Sequence, residues 1–171
     1  SQPDLLDAAL DCCRKILEHY PQQFLARQFL IEGYLKLEKT REALQECLTL
    51  LAFYKEGAEW VIGKCREMIK KEPFAREVLG YAYLSHGDPS RATLEAETLL
   101  AQDRNHSPAY VLLGEIFLTQ RLSRKAVEAF HKALELDPNS RLIHARYAGA
   151  REKELELEAE SIKKRLAEDK W

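Results

Sequence analysis

Glycine and proline are scarce in this chain of 171 residues, with seven and six copies, and there is one methionine. The glycines at 33, 57, 63, 80, 87, 114 and 149 are scattered singly, so no glycine-rich phosphate loop is present. No run of about 18 apolar residues occurs, which excludes a membrane-spanning helix and predicts no membrane insertion. The opening "SQPDLLDAAL" has no basic segment followed by an apolar one, so no signal peptide is expected. The chain starts at Ser1, which fits a fragment of a larger protein. The net charge is −2, which offers no electrostatic reason to bind nucleic acid or an anionic membrane.

Four cysteines are present, Cys12, Cys13, Cys47 and Cys65, and none shows the C-x-x-C spacing of a zinc or redox site. Cys13, Cys47 and Cys65 fall at apolar helical positions and read as small core residues. A reducing, cytoplasmic setting is the matching expectation. The histidines, His19, His86, His106, His131 and His144, form no ligand spacing such as H-E-x-x-H. Adjacent Cys12 and Cys13 point about 100° apart on a helix and cannot share a ligand. Acidic runs such as Glu154, Glu156, Glu158 and Glu160 read as a solvated face. No catalytic residue, metal site or cofactor is therefore expected.

What the chain does have is Leu, Ala, Glu, Lys and Arg, with 46% apolar and 32% charged residues. That balance favours helices over disorder. Apolar spacing and turn residues predict nine helices, at about 3–19, 23–37, 40–54, 57–71, 74–86, 89–102, 107–119, 123–135 and 140–169. The breaks, among them "YPQQ", "HGDP" and "DPNS", are too short for strands or linkers, so consecutive helices must pack antiparallel.

The helices repeat. Shifted by 34 residues, Leu79-Gly80 falls on Leu113-Gly114, Tyr83 on Phe117, Ala92 on Ala126 and Ala96 on Phe130. The same offset sets Ala58 under Ala92, Ala9 under Ala43, Cys13 under Cys47, Ile16 under Leu50 and Tyr20 under Tyr54. The expected repeat core is Leu79, Gly80, Tyr83 and Ala92, then Tyr110, Leu113, Gly114, Phe117, Ala126, Phe130, Ala133 and Pro138. Gly114 and Ala126 permit a close helix crossing, the aromatics fill layers, and Pro138 ends a helix.

With Tyr110, Leu113, Gly114, Phe117, Ala126, Phe130 and Pro138 in this register, the sequence resembles the tetratricopeptide repeat family. The resemblance is strong over 107–140, good over 73–106 and degenerate before that. It implies an all-α superhelical array of antiparallel hairpins, an α-solenoid forming a single domain over 1–171. The hairpins would span about 3–37, 40–71, 73–105 and 107–138, with a long capping helix over about 140–170. A second pairing joins 24–37 to 40–53, through Leu30, Tyr34, Ala43 and Leu50, and leaves 57–71 unpaired. The count of 34 favours the first.

The resemblance also implies a non-catalytic protein-binding module with a concave groove lined by the first helix of each hairpin. The groove residues would be Glu77, Tyr81, Leu84 and Ser85, then Val111, Glu115, Leu118 and Thr119, continued by Ala145 and Gly149. Family members that clamp the acidic tail of heat-shock chaperones carry Lys and Asn where this chain has Glu77, Tyr81, Val111 and Glu115. The expected partner is instead an extended or helical segment with apolar and basic residues. A small secretion or assembly chaperone and a self-assembling scaffold are the competing classes. The terminal helix carries Leu155, Ala159, Ile162 and Leu166 at 4-3-4 spacing. This stripe packs on the repeats, frays, or joins two copies as a homodimer.

Overall fold

A computed structural model describes residues 2–70 and 72–168. The ends of the expected hairpin at Lys71 and of the terminal helix at 169–170 lie outside the described residues. Among those described, the chain is all-α. It runs α1 (Gln2–His19), α2 (Phe24–Lys36), α3 (Thr40–Phe53), a 3-10 turn (Lys55–Gly57), α4 (Ala58–Met68), α5 (Phe74–Ser85), α6 (Pro89–Gln102), α7 (Ser107–Thr119), α8 (Ser123–Leu136) and α9 (Arg141–Glu168). Each expected helix is present. The chain divides into two compact units that part between Glu95 and Ala96, inside α6.

Three inter-helix turns are built alike. After α2, the Leu37, Glu38 and Lys39 N–H groups donate to Gly33, Leu35 and Tyr34 carbonyls at 3.1, 3.2 and 2.9 Å. After α5, His86, Gly87 and Asp88 donate to Ala82, Leu84 and Tyr83 at 2.9, 3.1 and 2.9 Å. After α7, Gln120, Arg121 and Leu122 donate to Ile116, Leu118 and Phe117 at 3.1, 3.1 and 2.9 Å. The middle residue of each is left-handed, with φ of 57° at Glu38, 84° at Gly87 and 59° at Arg121. A left-handed residue after a helix satisfies its last carbonyls and reverses the chain. A fully buried alanine follows each turn: Ala43, Ala92 and Ala126.

The connections α1–α2 and α3–α4 contain no left-handed residue. The pairing favoured by the continuous count of 34 therefore lacks the hairpin turn there. The second pairing, α2 with α3, has it. Gly87 and Arg121 stand one 34-residue repeat apart, while Glu38 and Gly87 are separated further by the 3-10 turn and α4.

The clasps agree with the turns. The Arg27 guanidinium of α2 donates to Glu46 of α3, and Arg76 of α5 does the same to Glu95 of α6. Arg14 of α1 donates to the Tyr34 hydroxyl at 3.3 Å, and Arg66 of α4 donates to the Tyr83 hydroxyl at 2.8 Å. Each of these arginines also lies over the ring it bonds, at 5.6 and 5.8 Å from the centroid. So α1 stands to α2 as α4 stands to α5. In the first unit α2 packs on α1 and α3, and α5 packs on α3 and α4, while α3 barely meets α4.

The second unit is three-layered in sequence order, α7 on α8 and α8 on α9. One face of α8, Ala126, Ala129, Phe130 and Ala133, is buried at i, i+3, i+4 and i+7 spacing. Val111, Ile143 and Ala150 complete that core. The capping role expected of the terminal helix is filled by its first half.

Arg121 shows the cost of a side chain in a left-handed turn, roughly 1–2 kcal/mol before the entropy of glycine is counted. Arg121→Gly is expected to stabilise the chain by about 0.5–1 kcal/mol. Gly87→Ala is expected to destabilise it by a similar amount, in thermal melts followed by circular dichroism.

Candidate interaction surfaces

Counted back from its turn, each hairpin presents one face of its first helix. On α5 this face holds Glu77, Tyr81, Leu84 and Ser85, all half-buried. Burial pushes the Glu77 carboxyl up to about 7, and the charge of Arg41 works against that rise. The Arg41 guanidinium lies over the Phe74 ring at 5.6 Å. Glu77 is therefore no fixed anion at neutral pH.

On α7 the corresponding residues behave differently. Val111 is only 8% exposed and belongs to the core with Phe130 and Ile143, so it does not face a partner. Leu118 packs against the same core. Glu115 is held by Arg146 of α9 at 2.9 Å, and the Thr119 hydroxyl donates to the Ile116 carbonyl at 2.7 Å. The reason is the return of α9 across this hairpin, where Ala145 is exposed and Gly149 half-buried. Of the two acidic residues expected in the groove, Glu115 is paired within the chain and Glu77 is pushed up by burial.

On α2 the matching positions are Gln28, Glu32, Leu35 and Lys36, and an apolar, open pair lies beside them. Leu25 and Phe29 are each 64% exposed. By register Phe29 corresponds to Val78 on α5 and Leu112 on α7, both fully buried. Glu32, beside them, pairs with Lys64 of α4 at 3.8 Å. Leu25 and Phe29 are absent from the expected groove set. The shift that aligns Arg27 with Arg76 and Tyr34 with Tyr83 sets them on Phe74 and Val78, beside the groove positions rather than on them.

The expected core residues fall as follows. Leu79, Gly80, Tyr83, Ala92, Gly114, Ala126, Phe130 and Ala133 are buried, Tyr110, Leu113 and Phe117 are half-buried, and Pro138 is exposed. Tyr83 also carries Arg91 over its ring at 4.8 Å. A Cβ on Gly114 would lie 2.6 Å from the Phe130 ring, which is the close crossing inferred for it. Pro138 still shapes the turn into α9, since its carbonyl lies 2.8 Å from His144 Nε2.

Cys47 and Cys65 are fully buried, and burial raises both thiols, Cys47 to about 12, so neither is a nucleophile at neutral pH. Cys13 is half-buried and also raised, first by burial. Among the described residues no group of three or more His, Cys, Asp or Glu side chains converges as metal ligands do. No helix there is long and apolar enough to cross a membrane.

The hairpin α7–α8, with its left-handed Arg121, its Gly114–Phe130 crossing and its buried Ala126 and Ala133, is matched by a family model over residues 107–140. That segment is a tetratricopeptide repeat. No curated protein sequence matches the chain significantly. Among solved structures, the chain is similar to a crystal structure of MamA protein at 20% identity and a TM-score of 0.46, covering 92% of this chain and 78% of that one. It is also similar to the first tetratricopeptide region of Spaghetti (RPAP3) bound to an HSP90 peptide, SRMEEVD, at 17% identity and a TM-score of 0.45. That match covers 77% of this chain and 92% of the other. On this hairpin Glu115 is paired with Arg146 of α9, and Val111 lies in a core shared with Ile143 and Ala150 of α9.

Proposed function

We propose that the chain is a non-catalytic protein-interaction module built from three tetratricopeptide-type hairpins, α2–α3, α5–α6 and α7–α8, with α1 and α4 as accessory helices. The observation that carries this is the exposed pair Leu25 and Phe29, of which Phe29 stands at a register position whose counterparts Val78 and Leu112 are buried. In a repeat stack, such a position is normally covered by a neighbouring helix. Here it is available to a partner segment, extended or helical, with apolar anchors. Tyr81, Leu84 and Ser85 on α5 offer further half-buried contacts.

Selection from a displayed random-peptide library tests this reading. Enriched peptides are expected to carry apolar side chains at regular spacing. Phe29→Ser, at a 64% exposed position, is expected to weaken them by about tenfold or more while leaving helicity unchanged. Peptides that bind wild type and Phe29→Ser equally would place the binding surface elsewhere.

The exposed stripe on α9 supports an additional contact, between copies of the chain. Leu155, Ile162 and Leu166 are 55%, 56% and 60% exposed.

A further inference from the structure

α9 is two helices in one. Its first half faces α8 with Ile143, Tyr147, Ala150 and Glu154. Every residue from 155 to 167 is exposed. At about 100° per residue, Leu155, Ala159, Ile162 and Leu166 lie within an arc of about 60°, centred about 120° away from the α8-facing side. The stripe therefore cannot turn onto its own hairpin while the first half stays docked. This removes the expectation that it packs on the repeats. An exposed helix of this length is marginal without a partner.

We infer that this half of α9 pairs antiparallel with the same segment of a second copy of the chain, about a two-fold axis between Glu160 and Ser161. The inference rests on the reading of α9 as an association surface and adds its occupant and direction. Two features of the sequence choose the direction. The 4-3-4 spacing reads the same in reverse, so Leu155 meets Leu166 of the second copy and small Ala159 meets large Ile162. A parallel pair would set Ala159 against Ala159 and leave a gap.

The second feature is charge. Glu156 and Lys163 flank one edge of the stripe, and Glu158 and Arg165 flank the other. In an antiparallel pair each edge meets its own reversed copy, so Glu156 faces Lys163 of the second copy and Glu158 faces Arg165 of the second copy. A parallel pair would set acidic half against acidic half and basic against basic. Antiparallel helices also oppose their macrodipoles favourably.

Sedimentation of the full chain over a dilution series is expected to show a monomer–dimer equilibrium. Glu156→Lys with Glu158→Lys, and separately Lys163→Glu with Arg165→Glu, are expected to weaken the dimer by about tenfold or more each. Mixing the two variants is expected to restore it, since opposite charges then face each other on both edges. Direction is read by cross-linking in a Cys12→Ser, Cys13→Ser background. Leu155→Cys chains mixed with Leu166→Cys chains are expected to form a disulfide-linked pair, and neither alone.

A chain monomeric at all concentrations would overturn the inference, as would a dimer indifferent to both charge reversals. Homodimeric cross-linking of Leu155→Cys alone would show a parallel pair and overturn the direction. Peptide binding measured on the same preparations keeps the two readings apart. A monomer that still binds selected peptides defeats only the seam, and a dimer that binds none defeats only the module.

Discussion

Gly114→Leu is expected to lower the melting temperature more than any single exposed substitution in the chain, at a cost on the order of 1–3 kcal/mol or more. A Cβ at this position would lie 2.6 Å from Cε1 and Cζ of Phe130 and 2.8 Å from Cδ1. The Phe130 ring is rigid and fully buried, so it cannot swing aside as the end of a flexible side chain would. Even Gly114→Ala should be destabilising. Gly149, on α9 of the same unit, supplies the control, because a Cβ there meets nothing within 4 Å. Gly149→Ala is expected to stabilise by about 0.5–1 kcal/mol, through helix propensity alone. Opposite signs for two Gly→Ala changes in one three-helix unit, read from chemical denaturation, would fix the hairpin crossing at Gly114. A neutral Gly114→Ala would remove it.

The helices were legible because apolar spacing and turn residues speak for each segment separately. Pairing the helices of the first half needs more, since any two amphipathic helices can be slid into apolar agreement. The offset that sets Ala9 under Ala43 and Ile16 under Leu50 does this with helices that the turns show to differ in role. The signal that separates them is polar and also lies in the sequence. Arg27 and Glu46 recur as Arg76 and Glu95, and Tyr34 as Tyr83, all at one common shift. These residues make the same clasps in both places. A salt bridge or a Tyr–Arg contact demands a particular partner, whereas an apolar position accepts almost any.

The surface was less legible than the core. Gly114, Ala126, Phe130 and Ala133 are constrained by their own hairpin, so local pattern suffices. Val111 and Glu115 are decided by where α9 returns, and nothing in the 107–119 segment encodes that. Phe29 is the converse. Its apolar character suggests burial, yet it is 64% exposed.

Glu77 makes a pH-dependent prediction that neither charge counting nor helical spacing contains. Burial on α5 raises its carboxyl to about 7, well above the usual value near 4.3 for an unfolded chain, with Arg41 opposing the rise. The folded state therefore holds this proton where the unfolded state has released it. Stability from the protonated form is fully present below about pH 4.3 and is lost as pH rises through about 7. Asp88 and Glu135 act in the opposite sense, since hydrogen bonds from Arg91 and Lys132 lower them, and their contribution is lost only in acid. Glu77→Gln keeps the shape and removes the charge. The variant is expected to match wild type near pH 4 and to be more stable by about 1–3 kcal/mol at pH 8. Taking the difference between the two proteins at each pH isolates the contribution of residue 77. A difference that stays flat from pH 4 to 8 would show that Glu77 ionises freely and faces solvent, and the α5 surface would then carry a fixed negative charge toward any partner.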